Sequence, residues 1–410
     1  MPRVTPAIYL DHNATTPCDA SVLAAMIPYF TEEYGNAASR THAYGFRAAA
    51  AVERARTQIA ALVAADPREI VFTSGATEAN NLALFGAARA LRRASGGKRD
   101  HVISCRSEHR AVLDPCRALE REGFRVTLLG VDGEGLIDAP RLRELLDAQS
   151  ALVSIMHANN EIGVIQPIAA LAQVAAEAGA AFHCDAAQSA GALEVDVTRL
   201  GVDFLSLSAH KLYGPKGIGA LVVRRRRPLA RIEPILHGGG HERGLRSGTL
   251  PVPLCVGFGA AAELAHGARA ADAERHRRLR ERLFARLSAE LPGLVLNGHA
   301  STRLPGNLNL SFLGVEGEAL LAALPELALS AGSACTSAKS EPSHVLRALG
   351  AGEARALSAL RFGIGRGNDE AQIDAAAELV ISQVRRLRAL SPVWDDLRRA
   401  DARSRVGSRT

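Results

Sequence analysis

The sequence predicts an α/β protein: a large domain on a mostly parallel sheet, followed by a smaller α+β domain. Three observations carry this. Short apolar runs alternate with longer helical patterns from about residue 43 to residue 262, the rhythm of a parallel sheet covered on both faces. After Pro253 that rhythm gives way to one long helical stretch, then short strands with helices between them. With 410 residues, 47% hydrophobic and 22% charged, the chain is long enough for two or three units, and its composition excludes a disordered, collagenous or disulfide-scaffold chain.

Taken in order, residues 43–65 read as a helix, Ala-rich and with helical apolar spacing. Residues 69–73 form a strand and 77–90 a helix; 101–105 a strand and 111–122 a helix; 124–129 a strand and 141–148 a helix. Residues 151–157 are a buried strand and 168–178 a helix, and 181–185, 203–208 and 217–223 are further strands. A long helix over 255–291 ends at Pro292-Gly293, since proline and glycine stop the pattern. Strands follow at 294–296, 308–312, 327–330 and 360–364, and a last helix spans 370–390. The division read from this is 15–262 as the large domain, with 1–14 and 263–394 as the small one. Residues 395–410, poor in apolar side chains and carrying five Arg, read as a disordered tail.

No apolar run approaches the roughly 18 residues of a membrane-spanning helix, and residues 1–13 hold no secretory signal pattern, so the expectation is a cytoplasmic protein with no membrane partner. The net charge of +6 hints at nucleic acid, but its distribution does not support that. Lys occurs only at positions 98, 211, 216 and 339, and the rest of the 49 basic residues are Arg interleaved with Glu and Asp on helical stretches. Chemistry that needs an amine therefore has four candidates. The cysteines at 18, 105, 116, 184, 255 and 335 contain no C-x-x-C pair, so no zinc or redox signature is present.

Ligands of parallel sheets bind at the carboxyl ends of the strands, and the polar residues there form four groups. Thr73-Ser-Gly-Ala76-Thr77-Glu78, between strand and helix, could present backbone N–H groups and a hydroxyl to a phosphate; an ordinary capped helix start explains it equally well. Asp185 ends an apolar strand, where it either serves a ligand or caps the next turn. Lys211 follows a buried strand directly, as a Schiff-base lysine or a solvated loop residue; Lys216, in Gly214-Pro-Lys-Gly217, is its rival. Together, an anion cradle, an acid and an amine suit pyridoxal phosphate, which needs a grip on its phosphate, a lysine for its aldehyde and an acid beside its pyridine nitrogen. Fourth, Cys335 lies among small polar residues from Ser330 to Ser340, where an exposed thiol is a liability unless it is used. The other five cysteines read as inert.

Longer motifs carry a resemblance: Phe72-Thr-Ser-Gly-Ala-Thr-Glu78, Ser107-Glu-His109, Asn159-Asn-Glu-Ile-Gly163, Ala209-His-Lys-Leu-Tyr-Gly-Pro-Lys-Gly217, His237-Gly-Gly-Gly-His-Glu-Arg-Gly244, Arg246-Ser-Gly-Thr249 and Gly332-Ser-Ala-Cys-Thr-Ser337. From Tyr9 to Trp394 the chain resembles the cysteine desulfurases, pyridoxal-phosphate enzymes of aminotransferase fold type I, and among them the IscS and NifS group of iron–sulfur cluster assembly. The resemblance implies that Lys211 carries the cofactor, Asp185 pairs with its pyridine nitrogen, and His109 lies over the ring and moves protons. Gln188 would bond its phenolic oxygen and Asn160 the ring side. Ala76, Thr77, Ser208 and His210 would hold the phosphate, and Thr249 would reach the phosphate of a neighbouring subunit in a homodimer. Arg361 would clamp the carboxylate of L-cysteine, helped by Asn36. Cys335 would take the sulfur as a persulfide and hand it to an iron–sulfur scaffold or another sulfur acceptor, with a transient iron–sulfur contact at the same residue. Ala37 stands where Pro is common in the family, Ala187 where Thr is common, and the Arg-rich tail replaces an apolar segment. Other readings are a selenocysteine lyase or an aminotransferase, which Cys335 disfavours, and a docking homologue or RNA-associated protein, which the joint presence of Lys211, Asp185, His109 and Cys335 disfavours.

Overall fold

The computed structural model describes residues 7–225, 231–331 and 342–397. In chain order its strands are β1 (Ile8–Tyr9), β2 (Ile70–Thr73), β3 (His101–Cys105), β4 (Arg125–Leu129), β5 (Ser150–Ser154), β6 (Ala181–Asp185), β7 (Phe204–Ser208), β8 (Gly219–Val223), β9 (Leu294–Leu296), β10 (Asn307–Phe312), β11 (Leu327–Ala328) and β12 (Ala359–Gly363). Seven of them form one sheet in the order β2-β8-β7-β6-β5-β3-β4. The run from β7 to β4 is parallel, and β8 lies antiparallel to both β7 and β2. The predicted mostly parallel sheet is therefore formed, and β2, β3, β5, β6 and β7 open their carboxyl ends on one edge, where a ligand crevice belongs.

The continuous apolar runs have their reason in this sheet. β2, β3, β5, β7 and β8 are buried at every residue. Helices Ala43–Leu62 and Ile168–Glu177 pack on one face, and Ala76–Ala94 and Arg110–Arg121 on the other. The strand expected over 151–157 ends at Ser154, but its pairing direction persists: the N–H groups of Ile155 and His157 donate to the carbonyls of His183 and Asp185 at 3.1 and 2.8 Å. Short helices at Ala20–Met26, Pro28–Thr31 and Val197–Leu200 were not anticipated; four to seven residues are too few to show a helical period.

A three-stranded antiparallel sheet, β12-β10-β9, builds a second core with helix Glu370–Ala389. The 39-residue helix Val252–Glu290 serves both cores: Val252, Cys255 and Phe258 pack on the large sheet, Leu279, Leu283 and Leu287 on the small one. The chain's start joins the second core too, since β1 pairs with β11 and Leu10 is fully buried there. Among the described residues, no helix is long and apolar enough to cross a membrane.

Of the segment expected to be disordered from residue 395, positions 395–397 instead continue a helical turn that begins at 392; the rest lies outside the described residues. That turn is held by Trp394. Its ring packs against Gly293 and Gly314, both at positive φ, and the Arg388 guanidinium sits 3.8 Å from its centroid while donating to the Pro292 and Leu313 carbonyls. Replacing this half-buried indole by Ala in urea titrations is expected to cost about 2 kcal/mol.

Candidate active site

The carboxyl ends of the parallel strands and the segment following β1 enclose a cavity of about 520 Å³. On its wall Asp185, the last residue of β6, accepts from Asn80 Nδ2 at 2.7 Å on one carboxylate oxygen and from the Ala187 N–H at 2.9 Å on the other. A carboxylate buried this deeply needs such partners. One pleat behind it on the same face, His183 lies between Ser154 Oγ at 2.8 Å and Ser206 Oγ at 2.9 Å. Burial pushes its imidazole down to about 4, so it is neutral at physiological pH.

β7 ends at Ser208 and turns through Ala209–Lys211, which brings the lysine amine into the cavity. Lys211 Nζ donates to the Asn13 and Ala14 carbonyls at 2.6 and 2.7 Å. The same N-terminal segment holds Gln188, whose side-chain amide exchanges hydrogen bonds with Asn13 at 2.9 and 3.1 Å, and His210, whose Nδ1 lies 3.0 Å from Thr15 Oγ1. Burial, aided by Lys211 and Lys216, pushes His210 down to about 4.

Helix Ala76–Ala94 starts at Gly75 with no side chain capping it, and Ala76, Thr77, Ser208 and His210 all line the cavity beside that start. Exposed N–H groups at a helix start favour an anion. β8 presses directly beneath this turn: a methyl on Gly219 would come within 2.7 Å of Gly75 Cα and 2.5 Å of the Leu207 carbonyl oxygen.

His109 caps helix Arg110–Arg121, its Nδ1 accepting from the Ala111 N–H at 3.1 Å. Nδ1 is thus an acceptor, and the neutral ring carries its proton on Nε2. Burial lowers its pKa, with Asp185 opposing and Lys211 assisting. Next to it Glu108 is fully buried and accepts from the Met156 N–H at 2.6 Å. Burial, reinforced by Asp185, raises its carboxyl well above the usual range and favours its protonated form. Arg361, on β12, donates to the Asn160 carbonyl at 2.9 Å and to Asp11 Oδ1 at 2.8 Å, and both Arg361 and Asn160 line the cavity.

Of the expected site residues that are described, two are not among those lining the cavity. Asn36 is exposed and its Oδ1 is taken by the Ala38 N–H at 2.9 Å. Thr249 is exposed outside it, at the end of a segment anchored by Glu242 on Arg56 (2.8 and 2.9 Å) and by Arg246 on Glu78 (2.7 Å). Cys335 lies outside the described residues. Cys105, Cys116, Cys184 and Cys255 are buried, and burial raises each thiol, Cys105, Cys116 and Cys255 to about 12 and Cys184 well above its ordinary value, which disfavours a thiolate at all four. Among the described residues no group of His, Cys, Asp and Glu could hold a metal ion.

Asn13, Ala14 and Asn80 were missed by sequence reasoning. An Asn on the buried face of an otherwise apolar helix is a signal for Asn80. Asn13 and Ala14 hold Lys211 through backbone carbonyls, which leave none.

Two measurements test this description. Gly219→Ala meets backbone rather than flexible side chains, so it is expected to weaken phosphate-ligand binding and to cost about 1–3 kcal/mol in urea titrations. His183 binds a proton more readily unfolded than folded, so stability falls as pH drops from 6.5 toward 4; between pH 7 and pH 5 this one residue accounts for about 2 kcal/mol. In His183→Asn the stability difference between those pH values is expected to shrink by that amount.

The chain matches the class-V aminotransferase family over residues 8–376. It is 55% identical over 388 residues to "Cysteine desulfurase IscS" of Anaeromyxobacter sp. (strain Fw109-5), covering 95% of each chain. A solved "NIFS-like protein" superposes with a TM-score of 0.85 at 34% identity, covering 92% of this chain and 99% of that one. The structure of "SspA in complex with cysteine" does so at 0.77 and 38%, covering 87% and 99%. Enzymes of this family depend on pyridoxal phosphate, and the cavity suits it: it holds an amine for the aldehyde, a fixed carboxylate for the pyridine nitrogen and an uncapped helix start for the phosphate. This chain belongs to the class-V aminotransferase family, among the cysteine desulfurases of the IscS/NifS type.

Proposed function

We propose that this protein takes the sulfur atom from L-cysteine, leaving L-alanine and a persulfide on Cys335 that is passed on for iron–sulfur cluster assembly or tRNA thiolation. One observation carries the reading: Lys211, Asp185, the helix start at Ala76 and Arg361 meet in a single cavity. The cysteine bound in the similar SspA structure supports the choice of substrate.

Bound there, pyridoxal phosphate withdraws electrons from the substrate's α-carbon. Lys211 would carry its aldehyde, Asp185 would serve its pyridine nitrogen, and Gln188 and Asn160 would hold the ring. Thr77, Ser208, His210 and the Ala76 N–H would hold its phosphate. Arg361 takes the substrate carboxylate. His109, protonated on Nε2 and capped on Nδ1, offers Nε2–H as a hydrogen-bond donor inside the cavity. It moves protons by taking one on Nδ1, in exchange for the Ala111 N–H, before Nε2 gives one up, and burial, which lowers its pKa, favours return to the neutral ring. The Cys335 thiolate attacks the substrate's sulfur: an S–S bond forms, the C–S bond breaks, and its electron pair stays with the three-carbon fragment, which takes a proton to become alanine.

The working unit is a homodimer in which Thr249 serves the neighbouring subunit's phosphate; its exposure outside its own chain's cavity supports this. Within each subunit, residues 15–262 form the large domain and 1–14 with 263–394 the small one. The location is cytoplasmic.

Cys335→Ser should keep its bound cofactor yet lose alanine formation by at least about a hundredfold in a single turnover, because a hydroxyl is a poor nucleophile toward sulfur. Cys18, the exposed thiol among the described residues, serves as control, and Cys18→Ser should stay within about twofold of the parent. A Cys335→Ser rate within a few-fold of the parent would end this reading.

A further inference from the structure

We infer that Asp11 is a positioning residue that aims the Arg361 guanidinium at the carboxylate of an amino-acid substrate. The inference rests on the reading above only in taking the substrate to be an amino acid.

Arg361 is 1% exposed. Of its donors, Nη1 is committed to the Asn160 carbonyl at 2.9 Å and Nη2 to Asp11 Oδ1 at 2.8 Å, while Nε is buried without a hydrogen-bond partner among the described residues. The guanidinium is therefore gripped at its tip, and each Nη keeps a second hydrogen for two coplanar oxygens in the cavity that Arg361 lines. Asp11 is itself fixed. Its Oδ2 accepts from Ser330 Oγ at 2.9 Å, and its backbone bridges Gly363, two residues from Arg361. Ser330 bridges Arg361 in turn, receiving the Arg361 N–H at 2.8 Å. Three backbone segments thus hold one hydrogen-bonded row, Ser330, Asp11, Arg361, that ends at the cavity.

Asp11 has two opposed effects on an incoming carboxylate. As a negative charge beside the guanidinium it weakens the attraction. As an acceptor it fixes the plane in which a bidentate pair must form. Bidentate recognition depends on that plane more than a point charge would. A buried guanidinium that loses its acceptor turns to find another. Direction should therefore outweigh charge.

The effect is read by titrating the cofactor's visible spectrum in the loaded protein with L-alanine and with ethylamine. Both bring an amine to the cofactor, and only L-alanine brings a carboxylate. Asp11→Ala is expected to weaken L-alanine binding by about tenfold or more while ethylamine changes by less than about twofold. Asp11→Asn retains an oxygen for Nη2 and turns its amide toward Ser330, so L-alanine should stay within about twofold of the parent. Three results would overturn the proposal: L-alanine affinity unchanged or tighter in Asp11→Ala, a parallel loss for ethylamine, or Asp11→Asn as weak as Asp11→Ala. None of these titrations requires sulfur transfer. A parent that makes no alanine from cysteine would sink the proposed function and leave this test readable.

Discussion

Two backbone carbonyls, of Asn13 and Ala14, accept hydrogen bonds from Lys211 Nζ at 2.6 and 2.7 Å, and much of the molecule is arranged to keep them there. The stretch from Asp11 to Thr16 reaches from one core to the other. On one side, Leu10 is buried in the small core and Asp11 bridges β12. On the other, Asn13 exchanges hydrogen bonds with Gln188, Thr15 meets His210, and Thr16 Oγ1 donates to the His210 carbonyl at 3.0 Å. Hydrogen bonds to a charged group contribute about 1.5–3 kcal/mol each. The amine is thus held in the cavity by a segment that answers to both sheets, and Arg361 and Lys211 share one support.

A second constraint is the polar layer inside an apolar sheet. Asp185, His183, Ser206, Ser154 and Ser104 are all buried, and each has a partner: Ser104 Oγ donates to the Ser154 carbonyl at 2.9 Å, His183 joins Ser154 to Ser206, and Asn80 reaches Asp185 from the covering helix. Such a row is costly unless complete, since a buried group left without a partner loses its hydration for nothing in return. Held by Asn80 on one oxygen and the Ala187 N–H on the other, the Asp185 carboxylate is fixed in direction.

The sheet strands were legible because a sheet covered on both faces makes its inner strands short, mostly apolar runs; β3 and β6 coincide with their predicted bounds. The parallel arrangement was legible from the helices between them, and the cavity residues from their places at strand ends. What escaped is what sequence proximity does not encode. Asn13 meets Lys211 across 198 positions and Asp11 meets Arg361 across 350, both through contacts that only the closed fold creates. The role of Gly219 is likewise invisible until β8 lies under Gly75. Asn36 was drawn in by motif alone, and its Oδ1 accepts from the Ala38 N–H of its own turn.

The central claim is that Lys211 is the amine around which this site is built. Treating the cofactor-loaded protein with borohydride fixes pyridoxal phosphate to the lysine that carries it, and peptide mapping by mass spectrometry identifies that lysine. The account predicts the label on Lys211 alone. A label on Lys216, the other described lysine lining the cavity, or an unlabelled protein that still turns over cysteine, would contradict it.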